Sequence, residues 1–139
     1  MSATITPYLF FGGRCEEALA FYAQALGAEV DMLMRFSDSP DPHPEGMLPA
    51  GFEKKVMHVT FKVHGVTLMA SDGSSPGTNF AGFSLALSLG NEAEVQQAFS
   101  ALVDGGTVIM PVGPTFWSNC FGMLTDRFGI TWMISIPGT

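Results

Sequence analysis

The sequence GVTLMAS at residues 65–71 closely matches the sequence GITWMIS at residues 129–135. Glycine, threonine, methionine and serine are identical in the two stretches, and the three other positions are apolar in both. A second match relates residues 20–30 to residues 98–108, where both copies read Ala-Phe-x-Ala and later carry Gly and Val. Because the two matches follow the same order, they predict an internal repeat. We place its copies at residues 5–72 and 80–136.

The first copy contains an insertion, because its two matching stretches lie farther apart than those of the second copy. The natural place for the insertion is residues 37–55, where Pro40, Pro42, Pro44 and Pro49 stand among glycines. Proline lacks the backbone N–H that regular structure uses, so this segment predicts a long loop.

Each copy carries the same order of secondary-structure signals. Apolar residues recur at helical spacing over residues 16–26, which Gly27 follows, and the second helix begins after the capping residue Asn91. The last two strands of each copy read as a hairpin. The predicted elements are a strand at 5–11, a helix at 16–26, strands at 28–36, 56–63 and 66–71, then a strand at 82–89, a helix at 92–103 and strands at 106–110, 116–124 and 130–136.

This order, β-α-β-β-β in each copy, predicts an α+β fold. One copy alone would leave an apolar sheet face and an apolar helix face uncovered, so we expect one domain over residues 1–139 with a shared core. The strands would form a cup-shaped mixed sheet with the helices on the outside. Alternation along the strand turns Leu68 and Ala70 toward the helices, and Met69 and Ser71 toward the cup.

The composition excludes several classes of function. The chain has 139 residues, is 47% hydrophobic and carries a net charge of −7, with a pI near 4.6. This acidic balance argues against binding nucleic acid or an anionic membrane, since both require basic groups. No stretch approaches the length of a transmembrane helix, and no basic residue precedes the first apolar run, so we expect a cytoplasmic protein.

The two cysteines, Cys15 and Cys120, lie far apart in the sequence and have no zinc-binding spacing. We expect them to be reduced structural thiols. Cys15 stands near the start of a helix, a position that can lower the pKa of a thiol, although no catalytic base stands near it in the sequence.

Strings along nearly the whole chain carry a resemblance to a known family. They are TPYLFF at 6–11 before EEALAFY at 16–22, VMHV at 56–59 before LMASD at 68–72, FW at 116–117 before FG at 121–122, and TDRFGITWMI at 125–134. They resemble the vicinal oxygen chelate superfamily, which includes glyoxalase I, extradiol dioxygenases and bleomycin-resistance proteins, and within it the PhnB-like branch. Members of that branch are often labelled demethylubiquinone methyltransferase-like. We do not expect that activity, because the chain has no glycine-rich nucleotide-binding turn.

The resemblance implies a divalent metal, held in the cup by four side chains that are typically His and Glu. The matching positions in this sequence are Pro7, Met69, Ser84 and Met133. The proline side chain has no ligand atom, and thioethers bind divalent zinc, nickel, manganese or iron poorly. We therefore predict no metal and no cofactor.

His58 and Asp72 are the titratable residues of most interest. His58 is in phase with Thr60 and opposite to Met57 and Val59, so we expect it to face the cup. There it would serve as a general acid or base, or as a cross-strand hydrogen-bond partner. Asp72 ends a strand, and it either starts the following turn or places a carboxylate at the mouth of the cup.

Arg35 and three aromatic residues complete the candidates. Arg35 alternates with apolar residues, and it would bind an anionic ligand or lie on a solvated strand face. Phe116, Trp117 and Phe121 form an aromatic cluster on one predicted strand. They serve core packing or stack on a planar ligand, and the pattern leaves open which face of this strand meets the cup.

These features predict a metal-free, glyoxalase-like protein that binds a small, partly apolar molecule in its cup. The resemblance to bleomycin-resistance proteins implies sequestration and a homodimer, with modules paired within a chain or exchanged between chains. The alternative is an enzyme of the lyase, isomerase or dioxygenase type that uses a displaced metal or His58 as acid or base. A third possibility is a cup filled by its own methionine and phenylalanine side chains. The predicted ligand-binding residues are Pro7, Leu9, Arg35, His58, Thr60, Met69, Ser71, Asp72, Ser84, Trp117, Phe121 and Met133.

Overall fold

The computed structural model describes residues 3–39, 48, 50–73, 76–77 and 79–137. The chain divides into two compact units, Met1–Thr78 and Asn79–Thr139, and each contains one copy of the repeat. That the two units form one domain stays a prediction. Residues 40–47 and 49 of the predicted loop lie outside the described residues. The ends of that loop form two short 3₁₀ turns, Phe36–Asp38 and Phe52–Lys54.

The first unit is a four-stranded mixed sheet with one helix. Its elements are β1 (Tyr8–Phe10), α1 (Cys15–Leu26), β2 (Glu29–Arg35), β3 (Val56–Val63) and β4 (Val66–Ser71). The strand order is β1-β4-β3-β2, in which β1 runs parallel to β4 and the other pairs are antiparallel.

The second unit has the same topology. Its elements are β5 (Leu85–Ser88), α2 (Glu92–Leu102), β6 (Thr107–Gly113), β7 (Phe121–Thr125) and β8 (Thr131–Ser135). The strand order is β5-β8-β7-β6, again with one parallel pair. The predicted α+β class with duplicated β-α-β-β-β modules is therefore confirmed.

Local sequence signals account for the ends of several elements. The β3–β4 hairpin turns at His64 and Gly65, whose φ angles of 49° and 80° suit a two-residue hairpin turn. Gly27 ends α1 in the left-handed conformation, and its N–H donates to the Ala23 carbonyl over 3.0 Å. Asn91 caps α2, because its Oδ1 accepts the N–H of Glu94 over 2.9 Å.

Alternation along β4 and β8 separates a core face from a second face of each sheet. Leu68 and Ala70 are buried, as are Trp132 and Ile134 in the second unit. The residues between them, including Met69 in β4 and Met133 in β8, are half-buried. Alternation also predicts Ser71 on the second face, although it is 2% exposed. The predicted core residues of these strands are confirmed.

Several strand ends differ from the prediction. β1 covers only Tyr8–Phe10 of the predicted strand 5–11. Ile5 lies outside the strand and is fully exposed. The predicted strand 116–124 begins only at Phe121, while β6 extends past Met110 to Gly113. β2 contains register shifts between Val30 and Met32 and between Met34 and Arg35, so its side chains do not alternate strictly.

A buried carboxylate joins three segments of the first unit. Asp72, 1% exposed, accepts the N–H groups of Gly13 and Cys15 on Oδ1, each over 2.8 Å. Its Oδ2 accepts the N–H of Val56 over 2.9 Å. The carboxylate thus ties the end of β4 to the start of α1 and the start of β3. Asp72 thereby satisfies N–H groups at a helix terminus that has no side-chain cap of its own.

The backbone N–H of Cys15 donates to this carboxylate, and the environment of its thiol agrees with the structural role expected for both cysteines. The side chain is fully buried. Burial raises the pKa of the Cys15 thiol well above its ordinary value, and the negative charge of Asp72 raises it further. Burial also raises the pKa of Cys120 in the second unit. Both residues are free thiols with a structural place in the core.

We expect the Asp72→Asn variant to lose about 2–3 kcal/mol of unfolding free energy, because the new amide group would face the Val56 N–H with a donor instead of an acceptor. Urea unfolding followed by circular dichroism measures this change. Asp104→Asn is the matched control, since the Asp104 side chain is 77% exposed and pairs only at the surface with Arg127. A loss below about 0.5 kcal/mol in Asp72→Asn would contradict the joining role.

Candidate functional site

The second face of the first sheet is built around Tyr8 and not around Pro7. The parallel register pairs Tyr8 with Met69, and Met69 pairs across the next strand with Thr60. These three residues therefore share one face. Pro7 precedes β1, where its carbonyl accepts the Met69 N–H over 3.0 Å, and Leu9 is 4% exposed on the core face. Pro7 and Leu9 therefore lie off the face that Tyr8 and Met69 share, and their part in ligand binding stays a prediction.

His58 lies on this face and joins a chain of polar groups. Its Nδ1 is 3.2 Å from the Tyr8 hydroxyl, and its Nε2 is 3.2 Å from the Thr60 hydroxyl. The rings of Tyr8 and His58 are 5.6 Å apart, centre to centre. If the imidazole carries its proton on Nε2, Tyr8 donates to Nδ1; with the proton on Nδ1, the Tyr8 oxygen accepts and its hydrogen is available to a ligand. The predicted hydrogen-bonding role of His58 is thus observed, with Tyr8 as the missing partner.

Alternation predicts that Met57 and Val59 share the core face. In the structure they do not. The register shift at the end of β2 pairs Arg35 with Val56, and Val56 is fully buried in place of Met57. Met57 is half-buried. The bulge therefore turns one long thioether side chain out of the core and toward an open pocket.

This pocket lies within the first unit and has a volume of about 490 Å³. Its wall combines aromatic rings, one thioether and three glycine backbones. The lining residues are Tyr8, Phe10, Gly12, Phe36, Met57, Ser71, Asp72, Gly73 and Gly77. Ser71 and Asp72 were predicted from the sequence, whereas the aromatic and glycine residues were missed. No local signal points to them, because β1 has only three residues and its register with β4 decides its faces.

Gly12, Gly73 and Gly77 form one side of the pocket, the glycine wall, which close contacts hold in place. The Gly77 N–H donates to the Gly12 carbonyl over 3.0 Å, and the Gly73 N–H donates to the Ser71 hydroxyl over 3.0 Å. Gly12 has a φ of +60°, and a Cβ atom there would stand 2.2 Å from the Gly77 oxygen. Only glycine fits this approach. The segment after β4 is therefore anchored against the segment after β1, which shapes one side of the pocket.

Arg35 directly precedes Phe36 of the pocket wall, and other residues of the first unit engage its guanidinium. Its guanidinium forms an ion pair with Glu16 of α1 and donates to the Lys54 carbonyl over 2.9 Å. The hydrogen bond to Arg35 lowers the pKa of Glu16, and the same contact raises the pKa of Arg35. Arg35 was predicted to bind an anionic ligand or to lie on a solvated strand face. In the structure its guanidinium pairs with the carboxylate of Glu16 in α1.

The aromatic cluster of the second unit joins a turn, which carries Phe116 and Trp117, to the first residue of β7, Phe121. Residues 115–118 close on themselves, since the Thr115 N–H donates to the Ser118 carbonyl over 2.8 Å. Trp117 packs on Phe121 with ring centres 5.3 Å apart, while Phe116 is 97% exposed. The cluster itself is confirmed, but its placement on a single strand was wrong.

The second face of the other sheet follows from the register of β7 and β8. Phe121 pairs with Ser135, and Met123 pairs with Met133, so Phe121 and Met133 share a face. This register answers which side of β7 carries the candidate residues. Ala86 pairs with Met133, whereas Ser84 lies before β5. Ala86 therefore occupies the strand position predicted for Ser84.

The corrected strand positions do not fit the divalent metal that the resemblance implies. They carry a phenol, two thioethers and a methyl group, at Tyr8, Met69, Met133 and Ala86. Hard or borderline divalent cations prefer imidazole and carboxylate ligands. Within residues 3–39, 48, 50–73, 76–77 and 79–137, no group of three His, Cys, Asp or Glu residues is placed to hold a metal. Neither helix of this part of the chain has the length and apolarity that crossing a membrane requires.

Comparison with known proteins places this geometry in a family. The family model described as 3-demethylubiquinone-9 3-methyltransferase matches residues 3–135. The crystal structure of protein PA1353 from Pseudomonas aeruginosa is 42% identical, with a TM-score of 0.83 over 98% of both chains. A PhnB protein from Bacillus cereus, called a putative 3-demethylubiquinone-9 3-methyltransferase, is 29% identical, with a TM-score of 0.77 over 96% of this chain and 99% of its own.

A more distant likeness concerns the fold alone. A glyoxalase-related enzyme from Fulvimarina pelagi is 16% identical, with a TM-score of 0.62 over 97% of this chain and 88% of its own. Its likeness agrees with the duplicated β-α-β-β-β modules. The chain belongs to the 3-demethylubiquinone-9 3-methyltransferase family, and its likeness to the PhnB protein agrees with the PhnB-like branch that the sequence resembles.

Proposed function

We propose that this protein binds and sequesters a small, partly apolar molecule without the help of a metal. The observation that carries the proposal is the open pocket of about 490 Å³ in the first unit. Pockets of 300–1,000 Å³ with aromatic walls and few polar groups are typical of small-molecule sites. The methyltransferase activity in the family's description is not proposed, because the sequence holds no glycine-rich pattern for a nucleotide-like cofactor.

The chemistry of the wall supports this kind of ligand. Tyr8, Phe10 and Phe36 offer ring surfaces, and Met57 adds a flexible thioether that can adapt to different shapes. His58 and Thr60 lie one and two hydrogen bonds from the pocket through Tyr8. Part of the predicted site thus gathers in one unit. A role in ligand binding for Met69, Ser84, Trp117, Phe121 and Met133 stays a prediction.

We expect Met57→Trp to abolish ligand binding, because an indole in place of the thioether would fill the pocket. A small-fragment library is screened by the rise in melting temperature of the unchanged protein, since a ligand of the native state stabilises it. Fragments that raise the melting temperature by about 2 °C or more are then tested on the variant. Val66→Trp is the matched control, because Val66 is 63% exposed on the same sheet and does not line the pocket. Equal shifts in all three proteins would contradict binding at this pocket.

A second candidate function is acid–base catalysis, and the 3.2 Å contact between the Tyr8 hydroxyl and His58 Nδ1 favours it. Tyr8 touches the pocket, so it could exchange a proton with a bound molecule. His58 would replace or accept that proton, with Thr60 at its other nitrogen. This arrangement supplies a chain of proton-exchanging groups that an isomerase or lyase step could use without any metal.

The two functions differ in what happens to a bound molecule. We expect fragments found in the screen to stay chemically unchanged over hours of incubation, as followed by one-dimensional NMR of the fragment. Conversion that falls at least about 100-fold in the His58→Ala variant, with binding retained, would favour catalysis instead. Conversion that is the same in His58→Ala would exclude this residue as the acid or base.

We also propose that the protein is a homodimer in the cytoplasm. The outer strands β2 and β6 expose apolar side chains beside unpaired edges, among them Val30, Met32, Val108 and Ile109. Exposed apolar edge strands favour association. The two buried free thiols agree with a reducing compartment.

Sedimentation equilibrium tests the oligomeric state. We expect a mass of two chains, falling to one in Ile109→Asp, because a carboxylate on an apolar contact edge opposes pairing. Val66→Asp introduces the same charge at another exposed apolar position and should leave the dimer intact. A single-chain mass for the unchanged protein at micromolar concentration would overturn the proposed dimer.

A further inference from the structure

We infer that the pocket of the first unit selects an uncharged, ring-bearing molecule that offers one carbonyl or hydroxyl group to the Tyr8 hydroxyl. This inference rests on the proposed function and adds the chemical class of its ligand. Three observations carry it: the pairing of the charged groups around the pocket, the use of the backbone N–H groups, and the position of Tyr8.

The charged groups around the pocket already have hydrogen-bond partners within the protein. The carboxylate of Asp72 accepts three backbone N–H groups and is 1% exposed, so it offers little to a cation. Arg35 is bound to Glu16, and the Lys55 ammonium donates to the Gly13 carbonyl over 3.0 Å. Asp72 is the one charged residue among the described residues of the wall, so an anionic ligand would meet no cation there, and a cationic ligand would meet a carboxylate whose oxygens already accept hydrogen bonds. Desolvating an unpaired charge is strongly unfavourable.

The backbone of the glycine wall is also engaged. The N–H groups of Gly13, Gly73 and Gly77 donate to Asp72, to Ser71 and to the Gly12 carbonyl, respectively. A row of free N–H groups is what binds phosphate or carboxylate in glycine-rich loops. Here these three donors are used within the protein. The glycine wall thus contributes shape and close approach, and not a site for an anion.

Among the described polar side chains of the wall, that of Tyr8 is the most accessible to a ligand. Its side chain lines the pocket and the residue is 38% exposed, whereas Ser71 is 2% exposed and accepts the Gly73 N–H. The phenol both donates and accepts hydrogen bonds, so a carbonyl or a hydroxyl group can pair with it. His58, 3.2 Å away, is a positioning residue that holds the phenol in place.

The aromatic residues favour a ring in the ligand. The rings of Tyr8 and Phe10 lie 5.0 Å apart, tilted by 38°, and both line the pocket with Phe36. Rings in this range of distances pack by offset or edge contacts, and a third ring can join them. One polar handle beside three aromatic side chains matches a neutral ring compound with a single polar substituent.

Four probes of nearly equal size test the inference at pH 7: toluene, benzyl alcohol, benzoate and benzylammonium. Each is titrated into the ¹⁵N-labelled full chain, and the amide signals of Gly12, Gly73 and Gly77 report binding at the pocket. We expect benzyl alcohol to bind at least about 10-fold more tightly than benzoate and benzylammonium. Its affinity should exceed that of toluene by about 5-fold, and Tyr8→Phe should remove that advantage while leaving toluene unchanged.

His58→Ala separates positioning from general stability. We expect it to weaken benzyl alcohol about 2- to 3-fold and to leave the affinity of toluene unchanged, because only the hydrogen bond depends on the orientation of the phenol. A loss that is equal for both probes would contradict the positioning role. His58→Gln, which keeps a polar partner for Tyr8, should restore part of the benzyl alcohol affinity.

The outcomes distinguish the inference from the proposed function. Tighter binding of benzoate or benzylammonium at the same amide signals would overturn the uncharged class, while binding at the pocket would still stand. Equal affinity for benzyl alcohol and toluene would overturn the Tyr8 handle. If no probe shifts these amide signals up to its solubility limit, and the fragment screen also finds no ligand that Met57→Trp excludes, the proposed function itself fails.

Discussion

The Asp72 carboxylate is the interaction on which the first unit depends. It accepts N–H groups from the start of α1 and from the start of β3, and it stands at the end of β4. These segments are distant in sequence, so one charged group sets where the helix begins relative to the sheet. Hydrogen bonds to an ionised acceptor are stronger than those between neutral groups, and each buried N–H would otherwise be unsatisfied.

The second unit solves a similar problem with different residues. Asp126, 3% exposed, accepts the N–H groups of Phe128 and Ile130 on Oδ1 and the indole N–H of Trp132 on Oδ2. Its carboxylate organises the β7–β8 turn and not a helix start. At the far end of that hairpin, the buried Ser118 hydroxyl lies 3.0 Å from the carbonyl oxygens of Cys120 and Ile136. The repeat therefore conserves topology between the units while the polar groups that hold each unit differ.

The parts of the fold that could be predicted are those with a strong local signal. The matching stretches at 65–71 and 129–135 fixed the duplicated plan, and Gly27, Asn91 and the His64-Gly65 turn marked element ends through backbone preferences that act locally. Alternation in β4 and β8 identified core residues correctly, because these central strands are buried on one face.

The candidate site was less predictable, since it depends on register between segments that are far apart. β1 has three residues, too few to show alternation, so its pairing with β4 decides that Tyr8 and not Leu9 joins Met69. The bulge that frees Met57 arises from pairing with β2. The partner of Arg35 lies on a helix 19 residues earlier, and no periodicity within β2 points to it.

The same carboxylate that holds the first unit also determines what its pocket can recognise. A carboxylate in the wall of a cavity would normally attract cations, and it would make the site poor for apolar molecules. Asp72 lines the pocket, yet its two oxygens accept three backbone N–H groups. The hydrogen-bonding capacity of the carboxylate is therefore used within the fold. The Tyr8 phenol remains accessible to a ligand, and His58 forms a hydrogen bond with its hydroxyl group. Fold and site are thus linked through one residue, because the hydrogen bonds that join helix and sheet also occupy the carboxylate that lines the pocket.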